Sequence, residues 1–172
     1  GVVREIRRGL KRHLICIVIE VSKPEDIEQH PVIVLQQTSR QELIERLKTG
    51  GLFAHIRQRP FNFLAKPDKP PRNIFVKALE SAPFTPPAEF QVAGYEREFQ
   101  AGLDALSKLT DGQVHLVYRE GTTSRAFLDA KGVQKHSVEG PHPAANVSLH
   151  IERIDPIKSA EDVIWTVNAH TV

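Results

Sequence analysis

The side chains best equipped for chemistry fall in two stretches. In Arg57-Gln58-Arg59-Pro60-Phe61-Asn62-Phe63, two guanidiniums stand two positions apart beside aromatic rings. Arginines clamp carboxylates and phosphates through paired N–H donors, so one reading of Arg57 and Arg59 is an anion clamp. In the other reading, one of them ties the surrounding loop to a helix C-terminus, and the sequence leaves both open. Phe53, Phe61 and Phe63 read as loop-anchoring core ahead of a stacking platform for a flat ring. The second stretch is Ser137–Pro143, where Gly140 permits a turn and Pro141 and Pro143 fix φ on either side of His142.

Other chemistry is tested and mostly excluded. Eight histidines raise the possibility of a metal site, and His136, His142 and His150 are close in sequence. No pair has helical i,i+4 spacing with an acidic neighbour, so these residues are read as surface or supporting histidines and no metal is expected. A single cysteine, Cys16, excludes an intrachain disulfide and any zinc or iron–sulfur site built on several thiolates. Neither Gly-x-Gly-x-x-Gly nor Gly-x4-Gly-Lys-Ser/Thr occurs, so the two commonest phosphate cradles are missing. Gly-x-Ser-x-Gly is missing as well. Asn146-Val147-Ser148 fits a glycosylation sequon and is read as a chance match.

The elements that must position these residues follow from periodicity. Leu14–Val21 (LICIVIEV) is nearly continuous and β-branched, which predicts a strand covered on both faces in a parallel sheet, with Cys16 inside the core. Gly1–His13 carries five cationic side chains and is read as a solvated connecting segment. Ser39 and Glu42 form a capping box for a helix bearing Leu43, Ile44 and Leu47, which Gly50-Gly51 ends. A long loop, 50–73, then leads to a strand at Ile74–Leu79. Phe99, Leu103, Leu106 and Leu109 make one apolar stripe on a helix from about Tyr95 to Leu109, and Val114–Tyr118 is a further strand. Gly121–Lys135 is unpatterned. Val147, Leu149 and Ile151 alternate with polar residues, as do parts of Val163–Val167, and both predict strands.

Strand–helix alternation favours an α/β fold with a parallel sheet and right-handed crossovers. The expected organisation is a connecting segment at 1–13, a Rossmann-like core at 14–135 and a β-rich segment at 136–172. A net charge of +2, with 26% charged and 40% hydrophobic residues, is ordinary for a globular domain and calls for no nucleic-acid partner. No stretch reaches the roughly 20 apolar residues of a membrane span. The start without Met and without a signal peptide reads as a fragment of a longer protein.

Four stretches in order resemble one family. They are Arg8-Gly9-x-Lys11-Arg12, Gly51-Leu-Phe-x4-Arg57-x-Arg59-Pro60-Phe61, Ile74-Phe-Val-x-Ala78 with Pro83, and Gly140-Pro141-His142-Pro143-Ala144 followed by His150-Ile151, Asp155-Pro156 and Trp165. Together they resemble the A subunit of the bacterial sodium-translocating NADH:quinone reductase. Ala145 and Glu152 depart from that pattern. The resemblance implies a Rossmann-like domain related to the flavin-binding domain of the complex I flavoprotein subunit, but without a flavin loop. It also implies a peripheral subunit on the cytoplasmic face of the inner membrane, partnered by the other subunits. NADH, FAD, FMN and 2Fe–2S centres would belong to those subunits, with ubiquinone as substrate of the complex. Candidate quinone-binding or interface residues are then Arg57, Arg59, Phe61, Phe63, Gly140, Pro141, His142 and Pro143. A purely structural docking domain and the related C subunit of an Rnf-type electron-transport complex are the alternatives.

Overall fold

Gly1–Ile33 and Val34–Val172 form two separate packing units. The computed structural model describes residues 1–25 and 27–172. In the first unit, β1 (Val2–Arg8) pairs antiparallel with β2 (Leu14–Glu20). The connecting turn is closed by the Gly9 N–H donating to the His13 carbonyl at 2.8 Å, with Lys11 and Arg12 at positive φ.

This corrects the reading of Leu14–Val21. The strand exists, but its partner is the segment read as a connector, and it lies outside the parallel sheet. Ile15 and Ile19 are more than half exposed, and Cys16 is exposed rather than in a core. Apolar, β-branched composition specifies strand but not cover, and a two-stranded ribbon has no layer to put over either face. The break between units accordingly falls after Ile33, not after His13.

The second unit is a mixed α/β fold. Its elements are α1 (Arg40–Thr49), β3 (Arg57–Arg59), β4 (Phe63–Leu64), β5 (Asn73–Ala78), α2 (Ala88–Val92), α3 (Glu96–Leu109), β6 (Val114–Arg119), α4 (Arg125–Leu128), β7 (Gln134–Val138), α5 (Val147–Ile154) and β8 (Ile164–Asn168). They form a six-stranded sheet in the order β4-β3-β8-β5-β6-β7. β8, β5, β6 and β7 run parallel, and the β3–β4 hairpin adds antiparallel to β8. The 50–73 loop therefore carries a hairpin of its own. At α1, Ser39 accepts from the Glu42 N–H and Gly51, at φ +74°, turns the chain out, as the sequence predicts.

Register separates the residues by face. Phe75, Leu79, Val117 and Ile164 pack with Ala145 and Ile151 under α5. On the opposite face Trp165 meets Phe53 edge-on at 5.4 Å, and Phe127 meets Phe99 at 5.5 Å, beneath α1, α3 and α4. All four residues of the predicted α3 stripe are buried. β8 carries apolar side chains on both faces because helices cover both, and Ile164 and Trp165 are fully buried.

The β-rich reading of 136–172 is half right. β8 forms, but Val147–Ile154 is a helix. Val147, His150, Ile151 and Ile154 recur at i, i+3, i+4 and i+7, a helical stripe that coexists with the alternation. The Asn146 side chain accepts from the Ser148 N–H, and this cap decides between the two periods. At the amino-terminal edge of the sheet, Arg72 forms ion pairs with Asp155 and with Asp162 (2.7 Å), and Thr110 Oγ1 donates to the Pro71 carbonyl at 2.8 Å. These bonds tie the ends of α3 and α5 and the approach to β8 to the start of β5.

Candidate functional site

The carboxyl-terminal edge of the sheet is built differently. β5 leads to β6 and β7 on one side, and the chain then crosses back to place β8 on the other. Adjacent parallel strands whose connections leave in opposite directions open a crevice beyond their carboxyl ends, the usual ligand position in such sheets. α5 starts at this edge, and three concavities surround it.

Beside the amino end of α5 is a concavity of about 190 Å³ whose lining includes His55, Arg57, Lys77, Val147 and Asn168. Arg57 pairs with Thr166 across β3–β8, and Lys77 with Asn168 across β5–β8, which sets both cations on the α5 face. Lys77 is held by Glu80 at 2.7 Å, with both side chains under one-fifth exposed. Arg57 is in no ion pair among the described residues.

On one flank of α5, Arg59, Pro60, Ser148, Ile151, Glu152 and Ile157 line a second concavity of about 190 Å³. The Arg59 Nε is buried without a hydrogen-bond partner. Burial lowers its pKa from the ordinary arginine value, although the guanidinium stays charged at neutral pH. An uncompensated, half-buried cation has an unmet demand for an acceptor.

On the other flank, the Gly140–Pro143 turn, Leu149, His150 and Arg153 line a hollow of about 210 Å³. His142 Nδ1 lies 3.2 Å from Ser81 Oγ, and Ser81 Oγ accepts from the Ala145 N–H at 3.0 Å, so the turn is docked on the residue just beyond β5. His150 is 2% exposed. Its Nε2 is 2.7 Å from the Ala144 carbonyl and must carry the proton, which leaves Nδ1 as a buried lone pair without a partner. Burial lowers the His150 pKa, opposed by the Ala144 hydrogen bond.

The structure thus gathers Arg57, Arg59 and the Gly140-Pro141-His142-Pro143 turn around one helix. It does not gather Phe61 and Phe63, which project from the hairpin about 60% exposed with rings 5.8 Å apart. Of the three aromatics read as loop anchors, only Phe53 is core. Neither arginine ties the loop to a helix C-terminus through an ion pair among the described residues. Sequence reasoning passed over Lys77, whose signal is a lone charge inside an otherwise apolar strand.

A model of the NqrA second alpha/beta domain matches residues 38–172. The chain belongs to that family. The matched residues coincide with the second packing unit almost to its first residue. The corresponding A subunits of the Na(+)-translocating NADH-quinone reductase are similar across the whole chain: that of Chlamydia caviae is 36% identical over 182 residues, that of Chlamydia pneumoniae 35% over 178, and that of Histophilus somni 33% over 174. Each alignment covers all of this chain but only 38–39% of the relative, so the chain spans well under half the length of the proteins it matches. Among the described residues no helix of this NqrA-type domain is long and apolar enough to cross a membrane.

Proposed function

We propose that this chain is part of the A subunit of a sodium-translocating NADH:quinone reductase and that it supports quinone binding without a redox centre of its own. The observation that carries this reading is Arg59. Its Nε is buried without a partner, and the residue lines a concavity together with Pro60, Ser148, Ile151, Glu152 and Ile157. A quinone head group would bring a carbonyl acceptor for the guanidinium on a flat ring that packs on Pro60, Ile151 and Ile157, and the volume suits the head group with its tail outside. NADH, FAD, FMN and 2Fe–2S centres are assigned to other subunits. The proline-rich exit from β5 (Ala82-Pro83-Phe84-Thr85-Pro86-Pro87) supports this assignment, because prolines remove the amide donors a flavin phosphate would need there. On this reading the fold is that of the flavin-binding domain of the complex I flavoprotein subunit with its flavin site lost. The domain is peripheral, on the cytoplasmic face.

Titration of the chain with a water-soluble ubiquinone analogue, followed by NMR with FMN and NADH as comparisons, tests this. Saturable shifts at residues 59–60, 148 and 151, lost in Arg59→Gln, are expected. No binding of any of the three ligands would leave a docking domain, the second reading, which the exposed Phe61–Phe63 pair favours. FMN binding would overturn the assignment of flavins elsewhere. In the assembled complex, Arg59→Gln should lower quinone reduction with assembly intact, and loss of assembly in Phe61→Ala would favour docking.

A further inference from the structure

We propose a second, separate site at the amino end of α5: a receptor for a phosphate-type oxyanion, built by Arg57 and Lys77 from opposite sides of β8. The argument begins with topology. The concavity lies beyond the carboxyl ends of β5 and β8, the two parallel strands at which the order of the sheet reverses. Register then places Arg57 opposite Thr166 and Lys77 opposite Asn168, so that both cations and the Asn168 amide border one hollow. The charge is unbalanced. Glu80 neutralises Lys77 at 2.7 Å, whereas Arg57 has no ion-pair partner among the described residues, and no acidic side chain lines the hollow. A guanidinium with free forked donors, a mostly buried ammonium and an imidazole at His55 match the oxygens of a tetrahedral dianion.

The size agrees. About 190 Å³ is room enough for one phosphoryl group. Recognition would come from side chains on β3, β5 and β8 rather than from the turn after β5, which explains why glycine-rich cradle motifs are missing from a chain that still has the site. This site is distinct from the Arg59 concavity: Arg57 and Arg59 lie two residues apart on β3 and line different hollows.

The shared chemistry is a phosphoryl dianion, either free phosphate or a monoester. NMR titration of the chain with inorganic phosphate and with phenyl phosphate, at constant ionic strength against chloride, distinguishes these sources. Saturable shifts confined to residues 54–57, 77, 147 and 166–168 are expected, with affinity reduced at least fivefold in Arg57→Gln. That variant changes an exposed side chain and leaves the fold intact. Lys77→Gln, which also frees Glu80, should weaken binding at least as much. Tighter binding of phenyl phosphate would assign the site to a monoester, and equal affinity to free phosphate. Equal shifts with chloride, shifts mapping elsewhere, or unchanged affinity in Arg57→Gln would each overturn the proposal. Arg57→Gln should leave the response to the quinone analogue unchanged, and loss of both responses would refute two separate sites.

Discussion

Leu14–Glu20 and Ile164–Asn168 are two short strands of similar composition with opposite fates. The first reads LICIVIE and is largely exposed along its length; the second reads IWTVN and is buried through Val167. The difference lies in their neighbours. β8 has β5 on one side, β3 on the other, and helices over both faces, while β2 has only β1. Hydrophobic stabilisation scales with area removed from water, so the same side chains contribute heavily in one strand and little in the other. Composition fixes the tendency to extend, and the third dimension decides what that tendency is worth.

The sharpest way to break this comparison is truncation in each strand. Trp165→Ala removes a fully buried ring in contact with Phe53 and should cost about 3–5 kcal/mol. Ile17→Ala, at a side chain half exposed in this chain, should stay within about 0.5 kcal/mol. Chemical denaturation followed by circular dichroism measures both, since Trp165 is the only tryptophan. Similar costs would mean that β2 is covered in solution.

A smaller effect is expected from crowding. A Cβ at Gly112 would run into the Arg72 carbonyl and the Asn73 side chain, and backbone there cannot give way cheaply. Gly112→Ala should therefore cost about 1–3 kcal/mol. By contrast, nothing lies within contact of a Cβ at Gly132, whose φ of +70° leaves only local backbone strain. If Gly132→Ala proved the more damaging, backbone conformation rather than packing would govern these turns.

The pH dependence of stability separates the units in another way. In the second unit His115 Nδ1 lies 3.0 Å from His136 Nε2, and the His115 ring stacks on Phe75 at 4.6 Å. Burial, then the neighbouring imidazole, pushes the His115 pKa down from 6.5 to about 4. The unfolded chain therefore binds more protons than the folded one between those values, and stability falls as the pH is lowered from about 6.5 to 4. His136, also lowered by burial, acts in the same direction. His115→Phe should flatten this slope in urea titrations at several pH values. An unchanged slope would put the titration elsewhere, and among the described residues the hairpin unit contains no such pair.

How much of this was legible beforehand depends on whether a signal was local. The Ser39 cap, the Gly51 exit and the α3 stripe are local, and all three formed where the sequence predicts. The match of four motifs in order also identified the family. Cover over β2, exposure of Phe61 and Phe63, and the convergence of Arg57, Lys77 and the Gly140–Pro143 turn on one helix depend on contacts distant in sequence. No period in the chain encodes these. The helix itself was missed because eight residues satisfy both a period of two and a period of 3.6.

Asn146 is the residue through which that ambiguity can be tested. Its side chain accepts from the Ser148 N–H at 3.0 Å, as Ser39 accepts from Glu42 at 3.2 Å, so the two caps should be of similar worth. Asn146→Ala and Ser39→Ala should each cost about 1 kcal/mol, and glycine at either position only a few tenths. The consequences should differ in place. Losing the Ser39 cap frays α1, away from the carboxyl edge of the sheet. Losing the Asn146 cap loosens the helix that walls all three concavities, so hydrogen exchange should quicken at residues 147–150 and the Arg59 and Arg57 hollows should lose definition together. If Asn146→Ala left exchange there unchanged, α5 would be held by the packing of its stripe, Val147, His150, Ile151 and Ile154, and the cap would be incidental to the site.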